Sequence, residues 1–265
     1  MSRLTLTHLH KLKAEKEKIT CLTAYDASFA HLIDNAGIDV LLVGDSLGMV
    51  LQGHETTLPV TVDDMIYHSR QVYRGSHRAF LMVDMPFMSY ATPEMALPNA
   101  ARLMSEGHAQ MVKLEGGAWL SETVRLLTER GIPVCAHIGL TPQSIHRLGG
   151  YRVQGRIDKD AEQLRRDAQL LQAAGASVLL LECVPATLAA EISASLDVPV
   201  IGIGAGLECD GQVLVLYDML GITPGKIPSF AKNFLLETGT VPNAISAFIQ
   251  AVKKGSFPKE EHSFN

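Results

Sequence analysis

The sequence predicts an α/β fold, a single (β/α)8 TIM barrel over residues 1–265. Three observations point there. Short apolar runs recur from end to end, each separated from the next by a helical pattern or a turn. The runs are near-continuously hydrophobic, as strands buried on both faces must be, rather than alternating with polar residues. Five of them close on an ionisable group: Val40–Asp45, Ala79–Asp84, Met111–Glu115, Val134–His137 and Val178–Glu182. Parallel barrels carry their chemistry at the carboxyl ends of the strands, so function is expected at that rim.

A lead-in helix is expected over Thr5–Lys18, where Leu6, Leu9 and Leu12 recur. The first strand, Ile19–Tyr25, is followed by Asp26 in the position of a helix N-cap, ahead of Phe29, Leu32 and Ile33. Gly37 stops that helix, and the second strand runs Ile38–Asp45. A glycine-rich loop extends to Pro59, and Thr61 caps a helix reaching Gly75. The third strand (79–84) leads through Met85–Tyr90 to a helix from Thr92 to Glu106. Pro93 suits its first turn, while Pro98 threatens a bend. The fourth strand (111–115) opens on Gly116 and Gly117, then a helix with Trp119, Leu120, Val124 and Leu127. The fifth (132–137) gives way to a long loop, Ile138–Gly155. Helix 160–173 and the sixth strand (178–183) precede a short helix from Pro185. Val198–Gly204 and Val213–Tyr217 are the last two strands, joined by a link too short for a standard helix. A final apolar helical pattern spans Phe230–Val252. This layout suggests a displaced C-terminal helix that packs on a neighbouring barrel, and hence an oligomer.

A net charge of -5 gives no support to nucleic-acid binding, which wants a basic surface, but is compatible with a small anionic substrate. Cys21, Cys135, Cys183 and Cys209 are scattered, form no C-x-x-C pair, and read as buried thiols in a reducing compartment. No apolar run reaches transmembrane length and the lysine-rich start lacks a signal-peptide run, so the cytoplasm is the expected location. Gly202, Gly204 and Gly206 imitate a dinucleotide fingerprint, but Leu207 stands where its third glycine belongs. No histidine or cysteine spacing suggests zinc.

Asp45, Asp84 and Glu115 end three consecutive strands, which are neighbours in a parallel barrel. Like charges that close repel, and a divalent cation is the common remedy; oxygen-only ligands suit Mg²⁺, with Mn²⁺ or Co²⁺ as substitutes. Any one acid alone reads equally well as a helix cap or a lysine partner, but three at one edge favour the metal. Lys113, two residues before Glu115, points to the same side. It suits either an anionic substrate or an ion pair with Asp84 or Glu115. Glu182, approached by four apolar residues, is placed for a general base or for a hydrogen-bonded structural acid. His137 is placed to touch the same cavity, as a competing base or as a donor that steadies substrate or lysine.

The dispersed motifs Thr23–Asp26, Val43–Met49, Gln52–His54, Thr57–Val60, Asp84–Phe87 and Tyr90–Glu94 occur in that order. Val112–Gly116, Gly139–Gln143, Leu181–Pro185 and Ile203–Gly206 follow. With them the chain resembles the ketopantoate hydroxymethyltransferase family from about Thr5 to the tail, and more distantly the phosphoenolpyruvate mutase and isocitrate lyase group. The resemblance implies an Mg²⁺-dependent transfer of a hydroxymethyl group from 5,10-methylenetetrahydrofolate, as co-substrate, to 3-methyl-2-oxobutanoate. The products would be 2-dehydropantoate and tetrahydrofolate, on the way to pantothenate. It also implies that Asp45 and Asp84 lie closest to the metal, with Glu115 acting partly through water. Asp45, Ser46, Asp84 and Lys113 would hold the keto acid, Glu182 would be the base, and the assembly would be a cytoplasmic homodecamer. Two other readings compete: a metal-dependent carbon–carbon lyase, separated by its indifference to folate, and a non-catalytic acid-binding scaffold, separated by absent metal binding.

Overall fold

The computed structural model describes residues 3–265. Its eight strands close into a barrel in sequence order, every neighbouring pair parallel, with β8 returning to β1. The strands are β1 (Ile19–Thr23), β2 (Val40–Val43), β3 (Phe80–Asp84), β4 (Met111–Glu115), β5 (Val134–Gly139), β6 (Val178–Glu182), β7 (Val200–Ile203) and β8 (Gly211–Leu214). Nearly every strand residue is buried, which is why these segments read as unbroken apolar runs.

Around them lie α1 (Leu6–Ala14), α2 (Ala27–Asn35), α3 (Leu47–Val50), α4 (Val62–Gly75), α5 (Pro93–Ser105) and α6 (Ser121–Thr128). Then come α7 (Ile145–Leu148), α8 (Asp158–Ala173), α9 (Ala186–Ser195), α10 (Leu216–Leu220), α11 (Phe234–Thr238) and α12 (Val241–Lys253). The expected caps are in place. Asp26 accepts from the Ser28 and Phe29 amides, and Thr61 forms a reciprocal capping box with Asp64. Thr92 accepts from Met95, and α5 continues through Pro98 without ending there.

Four expectations change. His137 lies inside β5 rather than at its end, because the strand continues to Gly139. Tyr217 belongs to a helix, not to the eighth strand: Thr23 Oγ1 accepts the Leu216 amide at 2.8 Å and turns the chain, and Gly221 closes the short α10 in the left-handed region. The Phe230–Val252 pattern is two helices, broken where Gly239 takes φ +73° and Thr240 caps α12.

The fourth change concerns the displaced C-terminal helix. α12 seats on its own barrel, against β1 and α2. Ile245, Phe248 and Val252 are buried, and Phe234, Phe248 and Phe257 interlock edge to face with centroids 5.5–6.0 Å apart. At its end Lys253 pairs with Asp39 at 2.7 Å, just ahead of β2. The oligomer expected from a departing helix therefore loses that support.

Candidate active site

Parallel register sets the ionisable groups side by side. Asp84 is level with Lys113, and Glu115 with His137. Asp45 follows β2, and its backbone amide donates to Asp84 Oδ2 at 3.0 Å. Ser46 Oγ lies 2.9 Å from the Tyr25 hydroxyl. Gly139 is required where β5 meets β6, since it has φ +92° and a Cβ there would come within 2.3 Å of the Glu182 carbonyl oxygen.

From Asp84 onward the charges alternate. Lys113 Nζ lies 3.1 Å from Asp84 Oδ1 and 3.6 Å from Glu115 Oε1. His137 Nδ1 lies 3.5 Å from Glu115 Oε1, and Nε2 lies 3.4 Å from Glu182 Oε2. Asp84, Lys113, Glu115 and His137 are all buried, while the Glu182 side chain keeps 15% exposure. Burial of unpaired charge costs several kcal/mol per ion, roughly, so the alternation is what makes the row tolerable.

The proton affinities follow. Burial pushes Asp45 well above the usual carboxylate range, and the nearby Asp84 and Glu115 push it further. Burial also raises Asp84, against the pull of Lys113. For Glu115 burial is outweighed by Lys113 and His137, which hold it low. For Lys113 burial is outweighed by Asp84, Glu115 and Asp45, which hold it firmly protonated. Burial and Lys113, only 3.3 Å from Nδ1, lower His137, but the flanking Glu115 and Glu182 prevail and raise it to about 9.

Among the described residues, no three His, Cys, Asp or Glu side chains stand as a ready metal-holding group. The reason is visible: Lys113 occupies the space between Asp84 and Glu115, and an amide engages Asp45. The chemistry nevertheless fits an oxygen-liganded dication. Asp84 Oδ1 is buried with no hydrogen-bond partner, the ammonium beside it lying outside hydrogen-bonding geometry. Asp45 carries a repulsion that added positive charge relieves. His137 Nε2 is likewise buried without a hydrogen bond, 3.4 Å from Glu182 Oε2.

All the residues singled out from sequence thus reach one rim. Sequence reasoning missed Gln143 and Tyr90, although both lie in the motifs that carry the family resemblance. Gln143, in the single turn Pro142–Ser144, donates from Nε2 to Asp45 Oδ2 (2.8 Å) and to the Met85 carbonyl (2.9 Å), and from its backbone amide to Glu115 Oε2 (3.0 Å). The Tyr90 hydroxyl donates to Gln143 Oε1 and accepts the Glu115 amide at 3.1 Å. Across the mouth, the Tyr151 hydroxyl donates to Met49 Sδ at 3.3 Å, linking the two long loops. A separate cleft between α8 and α9, lined by Arg156, Arg165, Glu191 and Asn265, shares no residue with the rim.

A closed parallel barrel with buried acids, a lysine and a histidine gathered at its carboxyl rim defines the class: a (β/α)8-barrel enzyme. The chain belongs to the ketopantoate hydroxymethyltransferase family, whose model matches residues 3–260. It is 65% identical over 264 residues to the 3-methyl-2-oxobutanoate hydroxymethyltransferase of Nitrosococcus oceani, and 60% identical over 265 residues to that of Shewanella loihica, each match covering both chains fully. Among solved structures it is similar in fold to 2,3-dimethylmalate lyase, a member of the PEP mutase/isocitrate lyase superfamily. There the TM-score is 0.58 at 17% identity, covering 80% of this chain and 78% of the other.

Proposed function

We propose that the chain, acting as one barrel domain, transfers a hydroxymethyl group from 5,10-methylenetetrahydrofolate to 3-methyl-2-oxobutanoate, giving 2-dehydropantoate and tetrahydrofolate. The observation that carries this reading is the alternating row from Asp84 to Glu182 at the rim of a chain so similar to relatives named for that reaction.

Asp45 and Asp84, with Glu115 as an outer partner, would hold Mg²⁺, which when bound supplies positive charge against the negative charge developing on the keto oxygen. Ser46 and Lys113 hold the substrate carboxylate and orient its C3 hydrogen toward Glu182. Glu182 removes that proton. His137 is unsuited to the same task, because two carboxylates already keep it protonated; it acts instead as a donor that steadies the substrate and Glu182. Water adds to the folate's methylene carbon and breaks its two C–N bonds, leaving tetrahydrofolate with two N–H groups and the carbon as formaldehyde. The enolate carbon attacks that carbon, and its oxygen, protonated by water, becomes the hydroxyl. Tyr151 and Met49, which join the loops over the mouth, limit access of bulk solvent to that step.

The cytoplasmic location belongs to this proposal, supported by four buried free cysteines. No helix among the described residues is long and apolar enough to cross a membrane. Assembly as a homodecamer rests on the family resemblance, and sedimentation measures it directly.

NMR of the keto acid in deuterated buffer tests the chemistry. Loss of the C3 proton signal is expected only with Mg²⁺ present, and net product only when the folate donor is added as well. Turnover of the keto acid without folate would sink the transferase reading in favour of a lyase.

A further inference from the structure

We propose that Gln143 is a positioning residue that presets Asp45 and Glu115 for the cation. It rests on the reading of those acids as the Mg²⁺ region.

The amide orientation is fixed by its partners. Asp45 Oδ2 and the Met85 carbonyl can only accept, so the NH₂ group faces both, and Oε1 is left to take the Tyr90 hydroxyl proton. The Tyr90 oxygen then has a lone pair for the Glu115 amide. One buried side chain thereby fastens groups that follow or end β2, β3 and β4, while its own backbone N–H takes Glu115 Oε2. Each acid is gripped by one oxygen. The other oxygen of Asp45 is left for a ligand, and Glu115 Oε1 faces Lys113 and His137.

Such a hold does two things for a cation site. It removes rotamer freedom from Asp45, which would otherwise swing away from Asp84 to relieve repulsion. It also supplies a neutral donor, so the carboxylate is oriented without its charge being cancelled, as a second lysine would cancel it. Groups that orient ligands in this way typically contribute about 10–100-fold in metal affinity.

The test is Mn²⁺ binding to the folded, otherwise metal-free protein, followed by electron paramagnetic resonance without keto acid or folate, with thermal melts as a check on folding. Asp45→Asn serves as the reference for the site itself. Gln143→Leu is expected to weaken Mn²⁺ binding about tenfold or more and to change the zero-field splitting of the bound ion, which a purely space-filling role would not alter. Tyr90→Phe keeps the ring beside Trp119 and loses only the hydroxyl; about a fivefold loss is expected, and it decides the matter if Gln143→Leu does not fold. If Asp45→Asn weakens binding and the folded variants at 143 and 90 bind and resonate like the parent, the positioning role is wrong and the site reading survives. If Asp45→Asn binds Mn²⁺ normally, the site reading falls and this proposal with it.

Discussion

The two halves of the barrel rim are built on opposite principles. The arc from β2 to β6 ends in Asp45, Asp84, Lys113, Glu115, His137 and Glu182, which are held by charge and hydrogen bonds. The arc of β7 and β8 carries no such group at its strand ends; it closes on backbone and aromatic packing. Gly204 takes φ +58°, and a Cβ there would meet Phe230 at 2.9 Å and Phe264 at 3.1 Å, two rings that themselves meet edge to face. Gln212 donates to the Gly206 carbonyl at 2.9 Å, and the Phe264 carbonyl accepts the Ala186 amide at 2.8 Å. One arc gathers ionisable groups, and the other is closed by packing. A circular sheet allows this division because each strand end is an independent address with its own connecting loop.

Three substitutions break or sharpen that contrast, in descending size of effect. Glu182→Gln removes the proposed proton acceptor while keeping shape, so exchange of the keto acid's C3 proton should fall about 10²–10⁴-fold with substrate binding retained. Exchange at the parent rate would move the base elsewhere on the charged arc. Lys113→Met leaves the buried acids without their ammonium and should cost about 3–5 kcal/mol in urea melts of the metal-free protein at neutral pH. The sign with pH follows: Asp45 and Asp84 already bind protons more tightly folded than unfolded, and the substitution strengthens that bias. Stability of the variant therefore rises as pH falls through the raised carboxylate range, and a pH-independent loss would contradict the charge argument. Gly204→Ala tests the shut arc. Left-handed strain and the Phe230 contact should cost about 1–3 kcal/mol, with turnover per folded molecule unchanged. A large fall in turnover with stability intact would mean that this arc also serves the chemistry.

Much of the charged arc was legible because a buried ionisable residue ending an apolar run is conspicuous in sequence. Asp26, Thr61 and Thr92 were legible for a similarly local reason, since a cap is decided within four residues. Gln143 and Tyr90 were not. Each is an ordinary polar residue in a loop, and its value arises only when closure brings the loops after β3 and β5 together. The last helix misled for the same reason in reverse: its apolar face says that it is buried, but not against which barrel. The Lys253–Asp39 contact, 214 positions apart in the chain, answers that only in three dimensions. Gly239 carried the break between α11 and α12 openly, and the apolar pattern on either side masked it.

The groups from Asp84 to His137 form one string of alternating charge, so the charge on each is set against its neighbours rather than alone. In the proposed reaction a C3 proton carried by Glu182 would cancel the carboxylate facing His137 Nε2 and leave Glu115 as the anion beside the imidazolium. Giving that proton up to water would restore the pattern along the whole string, so resetting the proposed site between turnovers would involve more than one residue.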